Sequence, residues 1–413
     1  VTPPTRNLPA TVYVARQPIL DDRGRVFGYE LLYRHAIDAT SCIADGDRAS
    51  ARVLTGAVLD LGLDTLTNGR HAFLNVTRPL VLDTIDSLVP PDGVVIELLE
   101  SIDIDQPLID ACRNLQARGY RLALDDFVSG SDAEALLPFV SFVKVDVLNT
   151  PSPDVSALAK RLSRRDVQLV AEKVESREVY ERTRDEGFSL FQGYYFCRPI
   201  IHSRAALPAQ HLAYLRLIAA LNKPDLTTAE VERLVKQDVS LSVRVLRSVN
   251  SAAYPIRTEV RSIGQALFLL GIEPIRKWAT VWCLAGLSTG TTPELVTLAL
   301  SRARACETIG ERLRGVDSSE LFLVGLFSLL DVMLSRTMAD ALAALPLSDA
   351  AAEALKGQSN TLRAVLDTVI GYERGEWDEA TLSACHMGLS QATLPDAYST
   401  ALRWVQEVAH ANV

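Results

Sequence analysis

Arg121-Leu122-Ala123-Leu124-Asp125-Asp126-Phe127 is a short apolar run that ends abruptly in two adjacent carboxylates. Four residues of this kind, bounded by polar positions, read as a buried strand. Delivering Asp125 and Asp126 to one point opposes stability, because two unit charges about 4 Å apart repel by about 4 kcal/mol at an effective dielectric of about 20. The pair needs a cation, a proton or water, and as a strand terminus it reads as half of a metal site.

Outward from this stretch, short β-rich runs alternate with segments of helical period. The runs are Tyr13–Gln17, Gly28–Tyr33, Ala72–Val76, Val94–Leu98, Leu122–Asp125, Phe142–Val145, Leu169–Glu172 and Leu190–Tyr195. Amphipathic segments at Arg48–Leu63, Gln106–Arg118, Asp154–Arg164 and Ser176–Glu186 lie between them. Strands and helices in this alternation predict an α/β TIM-type (β/α)8 barrel, with a doubly wound open sheet as the alternative. Barrel sites form where strands end. The strand ends here offer Gln17, Glu30, Asn75, Glu97, Asp125 with Asp126, Lys144 with Asp146, Glu172 with Glu175, and Gln192. Carboxylates and an Asn amide are hard oxygen donors suited to Mg²⁺ or Mn²⁺. Lys144 is one of only seven lysines. A lysine beside metal ions and desolvated by a barrel is expected to have its pKa pushed down, which suits proton transfer or water positioning.

From Ala209 onward the pattern is helical throughout. Segments of helical period begin at Ala209, Thr228, Ser240, Ile263, Pro274, Pro293, Ser319, Arg336, Asp349, Thr361, Trp377 and Pro395. Asp225, Thr227, Ser240, Ser262 and Ser318 are placed as N-caps. A boundary in the Pro199–Pro208 stretch gives two domains, 1–204 and 205–413, which a chain of 413 residues with 48% hydrophobic content can support with two cores.

The net charge of −9 and the lack of a Lys/Arg run argue against a nucleic-acid or membrane-surface binder. Arg244, Arg247, Arg257 and Arg261 read as a solvated or interdomain face before an anion patch. Six scattered cysteines without CxxC spacing fit reduced thiols, and the absence of a signal-peptide pattern or a long apolar run completes a cytoplasmic expectation.

The series Gln17-Pro18-Ile19, Gly28-Tyr29-Glu30-Leu31-Leu32-Tyr33-Arg34, Asn75-Val76-Thr77, Glu97-Leu98-Leu99-Glu100, Asp125-Asp126-Phe127, Lys144-Val145-Asp146, Ala171-Glu172-Lys173-Val174-Glu175 and Gln192-Gly193-Tyr194-Tyr195-Phe196 resembles the EAL domain. That family hydrolyses cyclic di-GMP to pGpG with two divalent metals on a TIM-type barrel. The resemblance implies Glu30, Asn75, Glu97, Asp125, Asp126 and Glu172 as metal ligands. It implies Lys144 as the residue orienting the attacking water, with Glu30 beside it in catalysis, and Gln17, Arg34, Glu175 and Gln192 as substrate contacts. The implied mechanism is in-line attack of a metal-activated water on one phosphodiester, with both metals stabilising the developing charge.

Four positions depart from the family pattern. Leu31 enlarges the signature motif, and Leu99 replaces a threonine beside a ligand. Val128 replaces the glycine after Asp-Asp-Phe, in a loop that orders the metals and supports dimerisation in active members. A β-branched residue resists the φ a glycine may take, which predicts another loop shape. Lys173 replaces a glycine and adds a cation near the site.

In the second half, Leu221–Asp225, Asp238–Tyr254 and Ser262–Gly271 resemble the HDOD domain, an all-helical relative of the HD metal phosphohydrolases. Phe327-Ser328-Leu329-Leu330-Asp331 stands where an HD enzyme carries His-Asp, and no pair of His residues has helix-face spacing. No cofactor is expected in this domain.

Together the resemblances imply a bacterial signal-transduction protein with a degenerate EAL domain, weak or absent cyclic di-GMP hydrolysis, and an HDOD domain for protein partners, with a homodimer allowed. The alternative is an active Mg²⁺/Mn²⁺-dependent cyclic di-GMP phosphodiesterase regulated by the HDOD domain. A nucleic-acid-binding regulator is the remaining reading, and nucleic acid is not the expected partner.

Overall fold

The computed structural model describes residues 12–35, 62–83, 85–163, 165–193, 209–222, 226–237, 239–250, 260–287, 293–334, 336–343, 345 and 347–410. Backbone contacts divide the chain into two compact units, residues 1–196 with 373–377, and residues 197–372 with 378–413.

The first unit is built on β1 (Val12–Asp21), β2 (Val26–His35), α1 (Leu63–Thr67), β3 (His71–Val76), α2 (Arg78–Asp83), α3 (Ile85–Leu88), β4 (Val94–Leu98), α4 (Gln106–Ala117), β5 (Arg121–Leu124), β6 (Phe142–Asp146), α5 (Ser152–Leu162), β7 (Gln168–Glu172), α6 (Arg177–Asp185) and β8 (Leu190–Phe191). The eight strands close into a barrel in sequence order, so the open-sheet alternative is set aside. The expected helix at Arg48–Leu63 lies outside the described residues, apart from Leu63, which opens α1.

One strand departs from the all-parallel (β/α)8 expectation. β1 runs antiparallel to both of its neighbours, β2 and β8, while the remaining pairs are parallel. The connection explains this. Asp21 and Arg25 close a tight turn, with Asp21 N–H donating to Arg25 O at 2.8 Å, and a parallel neighbour would need a crossover of a dozen or more residues.

Inside the barrel, Ile19, Phe73, Val95, Ala123, Phe142, Val170 and Leu190 form one apolar layer with Phe27 against it. Strand side chains alternate, so residues two positions along a strand share a face. Two residues beyond Phe73, Val95, Ala123, Phe142, Val170 and Leu190 come Asn75, Glu97, Asp125, Lys144, Glu172 and Gln192. Gln17 lies two residues before Ile19, as the reversed direction of β1 requires. An apolar floor is thereby topped by a polar layer. Gly28 admits the floor's packing, since a Cβ there would sit 2.7 Å from His71 O and 3.2 Å from a Phe73 ring carbon.

The second unit contains α7 (Ala209–Leu221), α8 (Thr228–Lys236), α9 (Val239–Val249), α10 (Ile263–Leu270), α11 (Ile272–Leu287), α12 (Pro293–Gly310), α13 (Ser318–Phe327), α14 (Leu330–Leu334), α15 (Met338–Leu342), α16 (Asp349–Leu355), α17 (Thr361–Glu373), α18 (Trp377–His386) and α19 (Thr393–His410). No strand occurs among its described residues. Thr227 and Glu230 form a capping box on α8, and the Ser262 hydroxyl caps α10. Two expected caps are corrected. Asp317, not Ser318, caps α13, because its carboxylate takes the Ser319 N–H, and Ser240 falls inside α9. Asp225 lies outside the described residues. The single helix expected across 319–333 breaks at Ser328, whose hydroxyl returns to Gly325 O at 2.7 Å. Among the described residues no helix is long and apolar enough to cross a membrane.

Candidate active site at the polar layer of the barrel

Lys144 is the centre of the polar layer. Only 1% of its side chain is exposed, and its ammonium pairs with Glu30 Oε2 at 3.0 Å, Asp125 Oδ1 at 3.0 Å, Glu172 Oε1 at 2.8 Å and, more tightly, Glu97 Oε1. The ladder sets this up. Glu30 stands opposite Gln17, Asn75 opposite Glu97, and Asp146 opposite Glu172. Asp125 is held by its N–H to Leu98 O at 3.0 Å, and Phe127 N–H donates to Lys144 O at 2.9 Å.

Amides complete the layer. Asn75 Nδ2 donates to Glu30 Oε1 at 2.8 Å, and Gln192 Nε2 donates to Glu30 Oε2 at 2.8 Å and to Gln17 Oε1 at 2.9 Å. The Tyr33 hydroxyl donates to Asn75 O. Burial, then the Glu97 charge, raises the Tyr33 pKa and keeps the phenol neutral. Tyr33 is a site neighbour that the sequence reading did not single out, although its place three residues after Glu30 was the available signal.

Lys144 corrects a sequence expectation. Burial alone lowers a lysine pKa, but Glu97, Glu30, Glu172 and Asp125 outweigh it and hold the ammonium well above its ordinary value. With these four carboxylates as neighbours it is a cation and hydrogen-bond donor. One ammonium cannot balance four carboxylates, however. Burial, opposed by Lys144 and reinforced by Glu30, Asp125 and Glu172, raises Glu97 well above the carboxylate range. Burial and the Asp125 and Glu30 charges raise Glu172 to about 8. Glu30 is the exception. Burial pushes it up, but Lys144 and the amide donors Gln192 and Asn75 bring it below its usual value.

Four buried oxygens on residues named for this site accept no hydrogen bond, namely Asn75 Oδ1, Glu97 Oε2, Asp126 Oδ1 and Gln192 Oε1. Orphaned buried acceptors on hard-oxygen donors, with a surplus of negative charge, fit a divalent cation. Among the described residues no three carboxylates are already set around an ion-sized point, because the Lys144 ammonium is the centre on which they converge.

Asp126 and Lys173 flank the layer, and both have left-handed backbones, with φ of 41° and 55°. Lys173 Nζ pairs with Asp146 Oδ2. Asp146 also accepts N–H groups from Leu148 at 2.9 Å and Asn149 at 2.8 Å. Val128, in contrast, is 62% exposed and not in the left-handed region. The loop makes its left-handed turn at Gly130, φ 84°, and is pinned by Gly130 N–H to Glu134 Oε1 at 2.7 Å and by Arg161 to the same oxygen at 2.7 Å. Glu175 lies beyond β7 on the way to α6. Arg34 has its backbone in β2, but its side chain is outside the described residues.

Comparison with known proteins follows the same division. The EAL domain family matches residues 75–199 and the HDOD domain family residues 207–372. Protein YuxH of Bacillus subtilis is 32% identical over 97% of this chain and 100% of its own length. Cyclic di-GMP phosphodiesterase CdgJ of Vibrio cholerae is 31% identical over 98% of this chain and 96% of its own. This chain belongs to the EAL–HDOD family. Among solved structures, a calcium and cyclic di-GMP complex of Klebsiella pneumoniae BlrP1 aligns over 46% of this chain and 56% of that chain, with 24% identity and a TM-score of 0.39. The EAL–HDOD order accounts for both units, the barrel with its polar layer and the helical unit after it.

Proposed function

We propose that the barrel binds cyclic di-GMP together with a divalent cation and hydrolyses one phosphodiester weakly, and that the helical domain engages a protein partner. The gathering of Glu30, Asn75, Glu97, Asp125 and Glu172 about the Lys144 ammonium carries this reading. These residues, with Asp126, would hold Mg²⁺ or Mn²⁺, which when bound supplies Lewis-acid polarisation of the phosphoryl oxygens and of the attacking water. Asn75 fixes the Glu30 carboxylate through its Nδ2 while leaving its own Oδ1 to a cation. Lys144, held protonated, donates toward the water that attacks. Gln192 and Gln17, joined at 2.9 Å, form an amide pair at the edge of the layer where a guanine or phosphate can exchange hydrogen bonds with them.

The loop beside the site supports the reading of weak turnover. The loop after Phe127 takes its turn at Gly130 and exposes Val128, and misplacing a water by about 1 Å costs on the order of 100-fold in rate. The proposed domain boundary is 204/205. Cys112 and Cys385 form no disulfide, which supports a cytoplasmic setting.

Calorimetry with cyclic di-GMP and Mg²⁺, run beside a chromatographic assay for pGpG, tests the proposal. We expect binding that is lost in Glu30→Gln, and turnover on the order of 100-fold below the roughly 10 s⁻¹ typical of enzymes. Failure to bind in the presence of either metal overturns it. The similarity to CdgJ along nearly its whole length favours a second reading, a fully active phosphodiesterase, which turnover in the typical range would establish.

A further inference from the structure

The carboxylates of the site fall into two groups with different cations. Glu30, Glu97, Asp125 and Glu172 surround Lys144. Asp146 pairs with Lys173 on the outer side, and the Lys173 charge also reaches Asp126 and Glu172. We propose that Lys173 is a built-in cation that occupies the outer group electrostatically, so that this chain takes one tightly bound divalent ion, in the inner group, and resists a second. The inference rests on the metal-binding reading above.

The charge count separates the groups. The inner group sets four carboxylates around a single ammonium, and two acceptors there, Asn75 Oδ1 and Glu97 Oε2, are buried without a partner. The outer pair, Asp126 and Asp146, faces one ammonium, and Asp146 is saturated. Its two oxygens take Lys173, two backbone N–H groups and the Asn149 amide. A divalent ion entering there must displace those donors and lie close to an ammonium of the same sign, which opposes it.

The backbone shows that this placement has a cost. A lysine at φ 55° is strained, since a residue with a Cβ seldom enters the left-handed region. The conformation is kept while the side chain, 49% exposed, directs its head group onto a carboxylate that is 10% exposed. A lysine with no task at this position would extend into solvent. Strain retained beside a cluster of acids points to a role for the charge it delivers.

Stoichiometric titration with Mn²⁺ tests this, followed both by calorimetry and by the loss of the free-ion paramagnetic resonance signal, neither of which requires turnover. We expect the full chain to bind one Mn²⁺ per protomer tightly. Lys173→Gly, which also relieves the backbone, should gain a second site at least ten times tighter than any in the parent, and Lys173→Arg should stay at one. Two equally tight ions in the parent, or one ion in both the parent and Lys173→Gly, overturns the inference while leaving the metal site intact. No binding in any of the three overturns the metal-binding reading and the inference with it.

Discussion

Lys144 shows how a single side chain can be read correctly for place and wrongly for charge. Its position between Val143 and Val145 marks an inward strand residue, and burial then argues for a lowered pKa. Four carboxylates on separate strands reverse that outcome, and pairings between distant strands are not visible in one strand's sequence. Replacing it by methionine should leave a buried cluster of uncompensated acids. We expect Lys144→Met to cost about 3–5 kcal/mol in thermal or urea unfolding without metal, with much of the loss recovered on adding Mn²⁺. The acids make a second expectation. Glu172 rises from 4.5 in the unfolded chain to about 8 when folded, so the native state binds the extra proton and is favoured below pH 4.5. That contribution is lost as pH rises through about 8, and Glu97 acts in the same direction. Chelator-treated protein should therefore melt progressively lower between pH 5 and pH 8, and Glu172→Gln should flatten the slope.

Elements were legible where periodicity and chemistry agreed. The eight apolar runs became the eight barrel strands, because each ends in polar residues that the i+2 alternation places above the apolar floor. The direction of β1 was not legible, since a run of alternating residues carries no polarity and only the short turn at Asp21–Arg25 reveals it. Helix ends were similarly local. Asp317 and Ser318 are both good caps, and the choice between them depends on backbone angles. Gly193 had been noted only as part of a motif. At φ 150° it passes so close to the loop after β7 that a Cβ would lie 2.3 Å from Val174 N and 2.4 Å from Val174 O. Gly193→Ala must push this backbone apart and carry the adjacent Gln192 with it, as the Val174 N–H to Gln192 O bond of 3.0 Å is made there. A loss of about 1–3 kcal/mol is expected. Cyclic di-GMP affinity should fall with it, which combined denaturation and calorimetry would register.

At the scale of the molecule, the chain divides into two compact units, and YuxH and CdgJ align along nearly the whole of it. The barrel of the first unit is not equally strong around its circumference. Among the described residues β1 and β2 are joined over nine residue pairs, whereas β8 meets β1 through two, Leu20 with Phe191 and Asp21 with Leu190, as many as join β5 to β6 and β7 to β8. Tyr180 on α6 holds this seam from outside, its ring edge-on to Phe191 at 4.7 Å and its hydroxyl donating to Asp22 O at 2.9 Å. This short seam is one place where the barrel can open. A transient parting there would expose the Leu20 and Phe191 amides to solvent and withdraw Gln192 from Gln17 and Glu30, so the substrate edge of the site would dissolve before its charged centre. Amide exchange at this seam should be faster in Tyr180→Ala than in the parent, and bound cyclic di-GMP should slow it. In this way ligand occupancy could be communicated as a change in how often the barrel breathes, without any change in its average shape.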